Sequence, residues 1–247
     1  MKTSIPIIPE IDYPESDGEP MAESDPTRDY LIYTVEALKY YYKDQPQAYV
    51  SGNLFIYYEQ GNPKSVILPD VFVVFDVSNQ SRRSYKLWEE NNKVPDFVIE
   101  ITSKSTVSQD QGLKKGLYAF LGVTEYFQYD PTQDYLNPAL KGYRLVGENY
   151  VQIQPTLLPN NELNVYSEVL NLELQLQSGE LRFYDPVTQE KLLSYLELEQ
   201  ARRTAEQARL DAIDRLFSLG LTVEQIAESL SFSIEQVRQK LNIETEN

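Results

Sequence analysis

The chain has 247 residues, enough for one sizeable core and an appendage, and sets 22 basic against 38 acidic residues for a net charge of -16. It contains no cysteine and no histidine, which excludes thiol nucleophiles, zinc sites, Ser-His-Asp triads and imidazole acid-base chemistry; any catalysis must use carboxylates, lysines, hydroxyls or a borrowed metal. The negative balance argues against broad adhesion to nucleic acid and leaves room for a local basic site.

Residues 1–28 hold seven acidic residues and five prolines with little periodic apolar content, the composition of a disordered acidic tail. The segment is too acidic and proline-rich for a signal peptide, and no stretch reaches the ~18 apolar residues of a membrane span, so a soluble cytoplasmic protein is expected. From Asp29, "DYLIYTVEALKYYYKD" sets Leu31, Val35, Leu38 and Tyr42 on one stripe at helical period, predicting a helix that ends near Asp44. "YVSGNLFIYYEQG", "SVILPDVFVVFDV" and "PDFVIEITS" are β-branched and aromatic runs of strand length, parted by Gly, Asn, Pro and charge clusters. "DQGLKKGLYAFLG" brings Leu113, Leu117, Phe120 and Leu121 onto one helical face, Gly122 supplies a stop, and "TEYFQYDP" reads as a strand. A helical crossover to a parallel strand follows.

The predicted main domain, residues 29–187, is therefore an α/β core of helix, three antiparallel strands, crossover helix and parallel strand. Two β-hairpins are added, with turn candidates at Gly147-Glu148-Asn149 and Gly179-Glu180. Residues 188–219 read as a long helix with mixed charges, a possible coiled coil. Residues 220–247 read as two short helices broken at Ser231-Phe232-Ser233, with Thr222 and Ser233 as N-caps and Ile226, Ala227, Leu230, Ile234, Val237 and Leu241 as a small core. This pair resembles a helix-turn-helix, yet Arg238 and Lys240 are offset by Glu235; DNA docking and homodimerisation through the C-terminal helices both stay open.

Pro-Asp occurs twice in this core, at Pro69-Asp70 and Pro95-Asp96, each time opening an apolar run. Antiparallel pairing puts the start of one strand beside the end of the next. Asp70 is thus expected near Glu100, with Asp96 at the far end, ~13 Å away at ~3.4 Å per residue. Two carboxylates converging from neighbouring strands can bind Mg²⁺, a hard cation that keeps waters for chemistry on phosphates. Asp70 could equally do no more than open a strand after proline. Glu100 interrupts "FVIEI" in a strand expected to be buried on both faces, so it needs a cation or donor partner.

"PD", then "FVIEITSKST" and "DQGLKKGLYAFLGVTEYFQYDP", resembles the Uma-type (DUF820-like) family of bacterial restriction endonucleases in the PD-(D/E)xK nuclease superfamily. Asp70, Glu100, Ser103, Thr106, Asp110, Lys114, Tyr118, Gly122-Val123, Glu125-Tyr126 and Asp130-Pro131 match the family pattern. The match is good from Asp29 to Pro131, loose over the hairpins and nearly absent at the termini. It implies a restriction-endonuclease-like fold, a DNA substrate, and Mg²⁺, or alternatively Mn²⁺, held by Asp70 and Glu100. The superfamily lysine belongs two residues after the glutamate, where this chain has Thr102. Lys114 is the candidate replacement, since Asp110, Lys114 and Tyr118 follow at i, i+4 and i+8 and the superfamily is known for moving its lysine onto this helix. Lys104 is the alternative, and an ordinary ion pair of Lys114 with Asp110 is the plain reading. Arg82, Arg83 and Lys86, with Lys93 close behind, suit phosphate contacts or are scattered solvated charges. Trp88 could stack a base or anchor packing. Set against a metal-dependent DNA endonuclease is a noncatalytic DNA-binding or regulatory protein that keeps the fold.

Overall fold

The structure, a computed structural model, describes residues 11–15, 24–159 and 162–243. It divides into two units, residues 1–192 and 193–247. The first helix, α1 (Asp25–Tyr41), begins four residues earlier than its apolar periodicity suggests, because Ser24 caps it and a proline occupies its first turn. Of the tail expected over 1–28, residues 24–28 are therefore the cap and first turn of a helix. Residues 1–10 and 16–23 lie outside the described residues, while Tyr13 packs its ring 5.1 Å from those of both Tyr57 and Trp88.

Each of the first two strand runs is split by a turn. The chain continues through β1 (Ala48–Gly52), β2 (Ile56–Tyr57), β3 (Val66–Ile67), β4 (Val71–Phe75), β5 (Tyr85–Lys86) and β6 (Phe97–Ile101). A π-helical turn (Gln109–Lys114) then runs into α2 (Lys115–Leu121), followed by β7 (Glu125–Tyr129), β8 (Leu140–Val146) and β9 (Asn149–Gln152). β1, β4 and β6 pair antiparallel, β7 lies parallel to β6, and the six-stranded order is β1-β4-β6-β7-β8-β9. The expected core of helix, three antiparallel strands, crossover helix and parallel strand is therefore present. β10 (Thr156–Leu157), β11 (Leu163–Ser167), β12 (Leu172–Gln177) and β13 (Glu180–Tyr184) form a second sheet in sequence order, and β3-β2-β5 form a third. The first expected hairpin, β8–β9, turns at Gly147-Glu148; the second turns at Ser178-Gly179, one residue early, because both of those residues take positive φ.

Alternation along β6 assigns its side chains. Phe97, Ile99 and Ile101 join α1 and the second sheet in one core; Val98 joins Phe72, Tyr118 and Tyr126 in the other, beneath α2. Glu100 thus points to the α2 side.

α2 departs from its predicted facing. Leu113 and Phe120 are 75% and 82% exposed, whereas Asp110 and Tyr118 are fully buried. The π turn shifts residues up to Lys114 out of phase with those that follow, which breaks the apolar stripe. The polar row turns inward instead, because a carboxylate buried on β6 needs donors more than the sheet needs two further apolar side chains.

In the second unit, α3 (Tyr195–Ser218), α4 (Val223–Leu230) and α5 (Ile234–Lys240) each begin with a capping box, at Ser194, Thr222 and Ser233. Ile213, Ile226, Ala227 and Val237 form their buried core, with Ile234, counted in that core from its spacing, left 44% exposed. Among the described residues no helix is long and apolar enough to cross a membrane.

Candidate active site

Strand register brings the two carboxylates together. Val71 pairs with Ile99, so the residue before one and the residue after the other face each other, and the Asp70 N–H donates to Glu100 Oε2 at 3.2 Å. One Asp70 carboxylate oxygen accepts from the Ile101 N–H at 2.7 Å. Gly52 makes room for this corner: a Cβ there would stand 2.6 Å from the Asp70 carbonyl oxygen. Asp96 sits at the opposite end of the strand pair, where its carboxylate accepts from the Phe75 N–H at 2.8 Å and pairs with Lys93 at 3.3 Å. That arrangement closes the end of β4 and does no more.

Glu100 is wholly buried and fully engaged. Tyr118 donates to Oε1 at 2.6 Å, and Lys114 donates to Oε2 at 2.9 Å. Lys114 also stands 3.5 Å from Asp110, which is buried and whose oxygens accept no hydrogen bond of good geometry. The Tyr126 hydroxyl holds the π turn through the Asp110 carbonyl at 2.7 Å, and Gln128, opposite Glu100 on β7, donates to that hydroxyl at 3.2 Å. Tyr126 stood among the positions matching the family pattern, whereas Gln128 was not singled out from sequence. The polar Gln128 inside the buried run "EYFQY" was the available signal.

Charge crowding sets the protonation tendencies. Burial and then the Glu100 charge push the Asp70 carboxyl well up, with Lys114 pulling it back; Asp70 borders the cleft, yet the protein behind it desolvates the group. Asp110 is pushed up for the same two reasons. Burial would lower Lys114, but Glu100, Asp70 and Asp110 outweigh it and hold the ammonium charged. Burial and Glu100 raise Tyr118, which stays a donor.

A cleft of about 660 Å³ opens beside Asp70, lined by Thr102, Lys104, Ser105, Tyr135 and others. The Ser103–Thr106 turn is fixed by the Ser103 N–H donating to Thr106 Oγ1 at 3.0 Å, which sets Lys104 on the rim rather than on Glu100. Asp130 organises the facing loop through N–H groups of Thr132, Gln133, Tyr135 and Leu136 and the Thr132 hydroxyl. Glu125 is structural: buried, it accepts twice from Arg144 and once from Ser167 of β11.

The basic loop does not join this cluster. Arg82 is spent on Glu90 at 2.6 Å, on the Ser78 and Gln80 carbonyls and on the Tyr49 ring. Arg83 pairs with Glu15, Lys86 with Glu89, and Lys93 with Asp76 and Asp96. Trp88 packs against Tyr13.

Among the described residues no three Cys, His, Asp or Glu side chains form a metal cluster of their own. Two carboxylates converging at a cleft nevertheless fit a hard divalent ion that keeps waters and completes its shell with substrate phosphates. Burial and mutual repulsion raise the Asp70 and Asp110 carboxyls, a crowding that a divalent ion would relieve.

A restriction-endonuclease-like core bearing a Pro-Asp strand, a buried glutamate and a helix-borne lysine is the class that fold and site define. Residues 8–177, more than half of the chain, match the Uma2 family model, described as "Putative restriction endonuclease". The chain belongs to that family. Among solved structures, it is similar to one described as a "putative nuclease belonging to DUF820" from Anabaena variabilis, at 17% identity and TM-score 0.39, covering 62% of this chain and 86% of that one. No curated protein matches the chain.

Proposed function

We propose that the protein is a metal-dependent DNA endonuclease that hydrolyses phosphodiester bonds. Asp70 and Glu100 are the ligands for Mg²⁺, with Mn²⁺ able to substitute, and Lys114 acts beside them. The observation that carries this reading is the 2.9 Å contact of Lys114 with Glu100, which returns to the glutamate the ammonium missing at Thr102. Family membership supports a nuclease acting on DNA.

A bound divalent ion would polarise the phosphate and lower the pKa of a coordinated water. The chain's own residues do the rest. Lys114, held protonated, stabilises charge developing on the phosphate and orients the attacking water; it does not remove a proton. Tyr118 fixes the Glu100 carboxylate, and Asp70 is tied to the neighbouring strand by Ile101. Lys104 and the hydroxyls of Ser103, Ser105, Thr106, Thr132 and Tyr135 line the cleft and are suited to contacts with the nucleic-acid backbone. They replace Arg82, Arg83 and Lys86 as the phosphate contacts in this reading. The reaction belongs in the cytoplasm, where DNA is available.

In the C-terminal unit Arg238 faces Glu224 at 4.0 Å and Lys240 faces Asp214 at 3.5 Å. That internal pairing favours assembly, including a homodimer, over DNA reading by α5. The deciding experiment is cleavage of supercoiled DNA with Mg²⁺ and with Mn²⁺, beside Asp70→Asn. Cleavage by the wild type and none by the variant supports the endonuclease; DNA binding with no cleavage under either metal transfers the function to the noncatalytic reading.

A further inference from the structure

We propose that Lys114 is handed between two carboxylates: it rests on Glu100 while the site holds no divalent cation and moves to Asp110 when one binds. Asp110 is then a positioning residue for cation binding. The inference rests on the nuclease reading above and adds to it a role for a buried acid that the reading leaves idle.

The geometry points to this in three ways. Both Glu100 oxygens are engaged, since Oε1 accepts from Tyr118 and Oε2 accepts from both Lys114 and the Asp70 N–H. A cation arriving at Oε2, the oxygen beside Asp70, must therefore compete with the ammonium for it. Where it rests, only 15% of the Lys114 side chain is exposed, so a displaced ammonium must first find a partner within the protein. Asp110, one turn earlier, already lies 3.5 Å from Nζ.

Asp110 also needs such a partner. It is completely buried and neither oxygen accepts a hydrogen bond of good geometry; the Thr106 side chain and the Lys114 ammonium are the donors that face it, and of the two only the ammonium brings a charge to offset a burial that otherwise costs several kcal/mol. The Tyr126 hydroxyl is committed to the Asp110 backbone, since it gives its proton to that carbonyl at 2.7 Å. The π turn spans both residues, so Asp110 and Lys114 belong to one locally widened segment held at its start by that bond. The ammonium lies nearer Glu100, at 2.9 Å, than Asp110, at 3.5 Å, which makes Glu100 its resting partner.

A double-mutant cycle on cation affinity tests the hand-over without recourse to turnover. Mn²⁺ is titrated calorimetrically into the full chain, Asp110→Asn, Lys114→Met and the double variant, with melting curves to verify folding. Lys114→Gln is used if Lys114→Met does not melt cooperatively. Asp110→Asn is expected to weaken Mn²⁺ binding about tenfold, roughly 1.4 kcal/mol. Lys114→Met is expected to bind at least as tightly as the wild type. Adding Asp110→Asn to Lys114→Met is then expected to cost less than about twofold, since no lysine remains to be received. Equal losses in both backgrounds overturn the hand-over, because Asp110 would then act on the cation directly; so does no loss in either. Wild-type protein that binds no Mn²⁺ removes the nuclease reading and the hand-over together, whereas binding without coupling removes the hand-over alone.

Discussion

Asp70 is held where its charge is unfavourable, and this ties function to stability. Its carboxyl is pushed up by burial and by Glu100, so the folded, cation-free protein binds its proton more tightly than the unfolded chain. The sign follows: the Asp70 contribution to stability declines as pH rises from the ordinary carboxylate range through the raised value. Asp70→Asn removes that penalty without removing volume. It should abolish metal-dependent cleavage while raising the melting temperature at pH 7 to 8 in the absence of metal, by about 1 kcal/mol or more. A lower melting temperature contradicts this electrostatic account. Glu100→Gln should also abolish cleavage, but with lost stability, because it removes the nearer of the Lys114 ammonium's two carboxylate partners; Asp96→Asn should leave most of the activity. Comparable loss of cleavage in all three defeats the register argument. For the lysines, Lys114→Ala should lower turnover at least ~10²-fold and Lys104→Ala far less, on single-turnover rates at saturating DNA. The reverse order would move the role to the turn.

At the level of elements, the site depends on two tight junctions. Gly52 lies against the Asp70 carbonyl, and a Cβ would also stand 2.7 Å from Val35 of α1. Gly52→Ala should therefore push β1 off β4 and cost about 1 to 3 kcal/mol, with cleavage falling more than the melting temperature alone would explain. Unchanged activity in a stably folded variant would show that the Asp70 corner tolerates the shift. The second junction is the loop after β7. Burial alone would raise Asp130, but the N–H groups of Tyr135 and Leu136 and the Thr132 donors hold it below the usual carboxylate value. A depressed folded-state value means that its stabilisation is present above the ordinary carboxylate range and is lost as pH falls through the lowered one. Asp130→Asn should cost about 1 to 3 kcal/mol at pH 7 and flatten the acid limb of the stability profile. An unchanged limb in chemical denaturation from pH 2 to 6 argues against that linkage.

For the whole molecule, the division at Leu192 predicts separable roles. The Asp70, Glu100 and Lys114 cluster and both large cores lie in the first unit, while the second has its own core of Ile213, Ile226, Ala227 and Val237. Removing residues 193–247 should leave cooperative melting and single-turnover cleavage of the first unit intact. Oligomeric mass in sedimentation, or affinity for DNA, should drop. If neither changes, assembly through the C-terminal helices is not their role.

Local chemistry sufficed for much of this in the sequence alone. β-Branched and aromatic runs of strand length marked the strands, Thr222 and Ser233 marked the N-caps of the two last helices, and the antiparallel offset of two Pro-Asp pairs placed Asp70, not Asp96, by Glu100. The family resemblance, with Thr102 where a lysine is expected, made Lys114 the candidate donor on the helix, with Lys104 as the alternative. The facing of α2 was beyond that reach, because an apolar stripe of Leu113, Leu117, Phe120 and Leu121 is the stronger local pattern; only the demand of a buried Glu100, and the phase shift of a π turn, rotate the polar row inward. Arg82 likewise looked free in sequence, and only three-dimensional neighbours, Glu90 and the Tyr49 ring, commit it to packing. Periodicity reports what a segment prefers by itself, whereas a buried charge is satisfied by groups distant in sequence, so which acids gain which partners is decided by the tertiary fold.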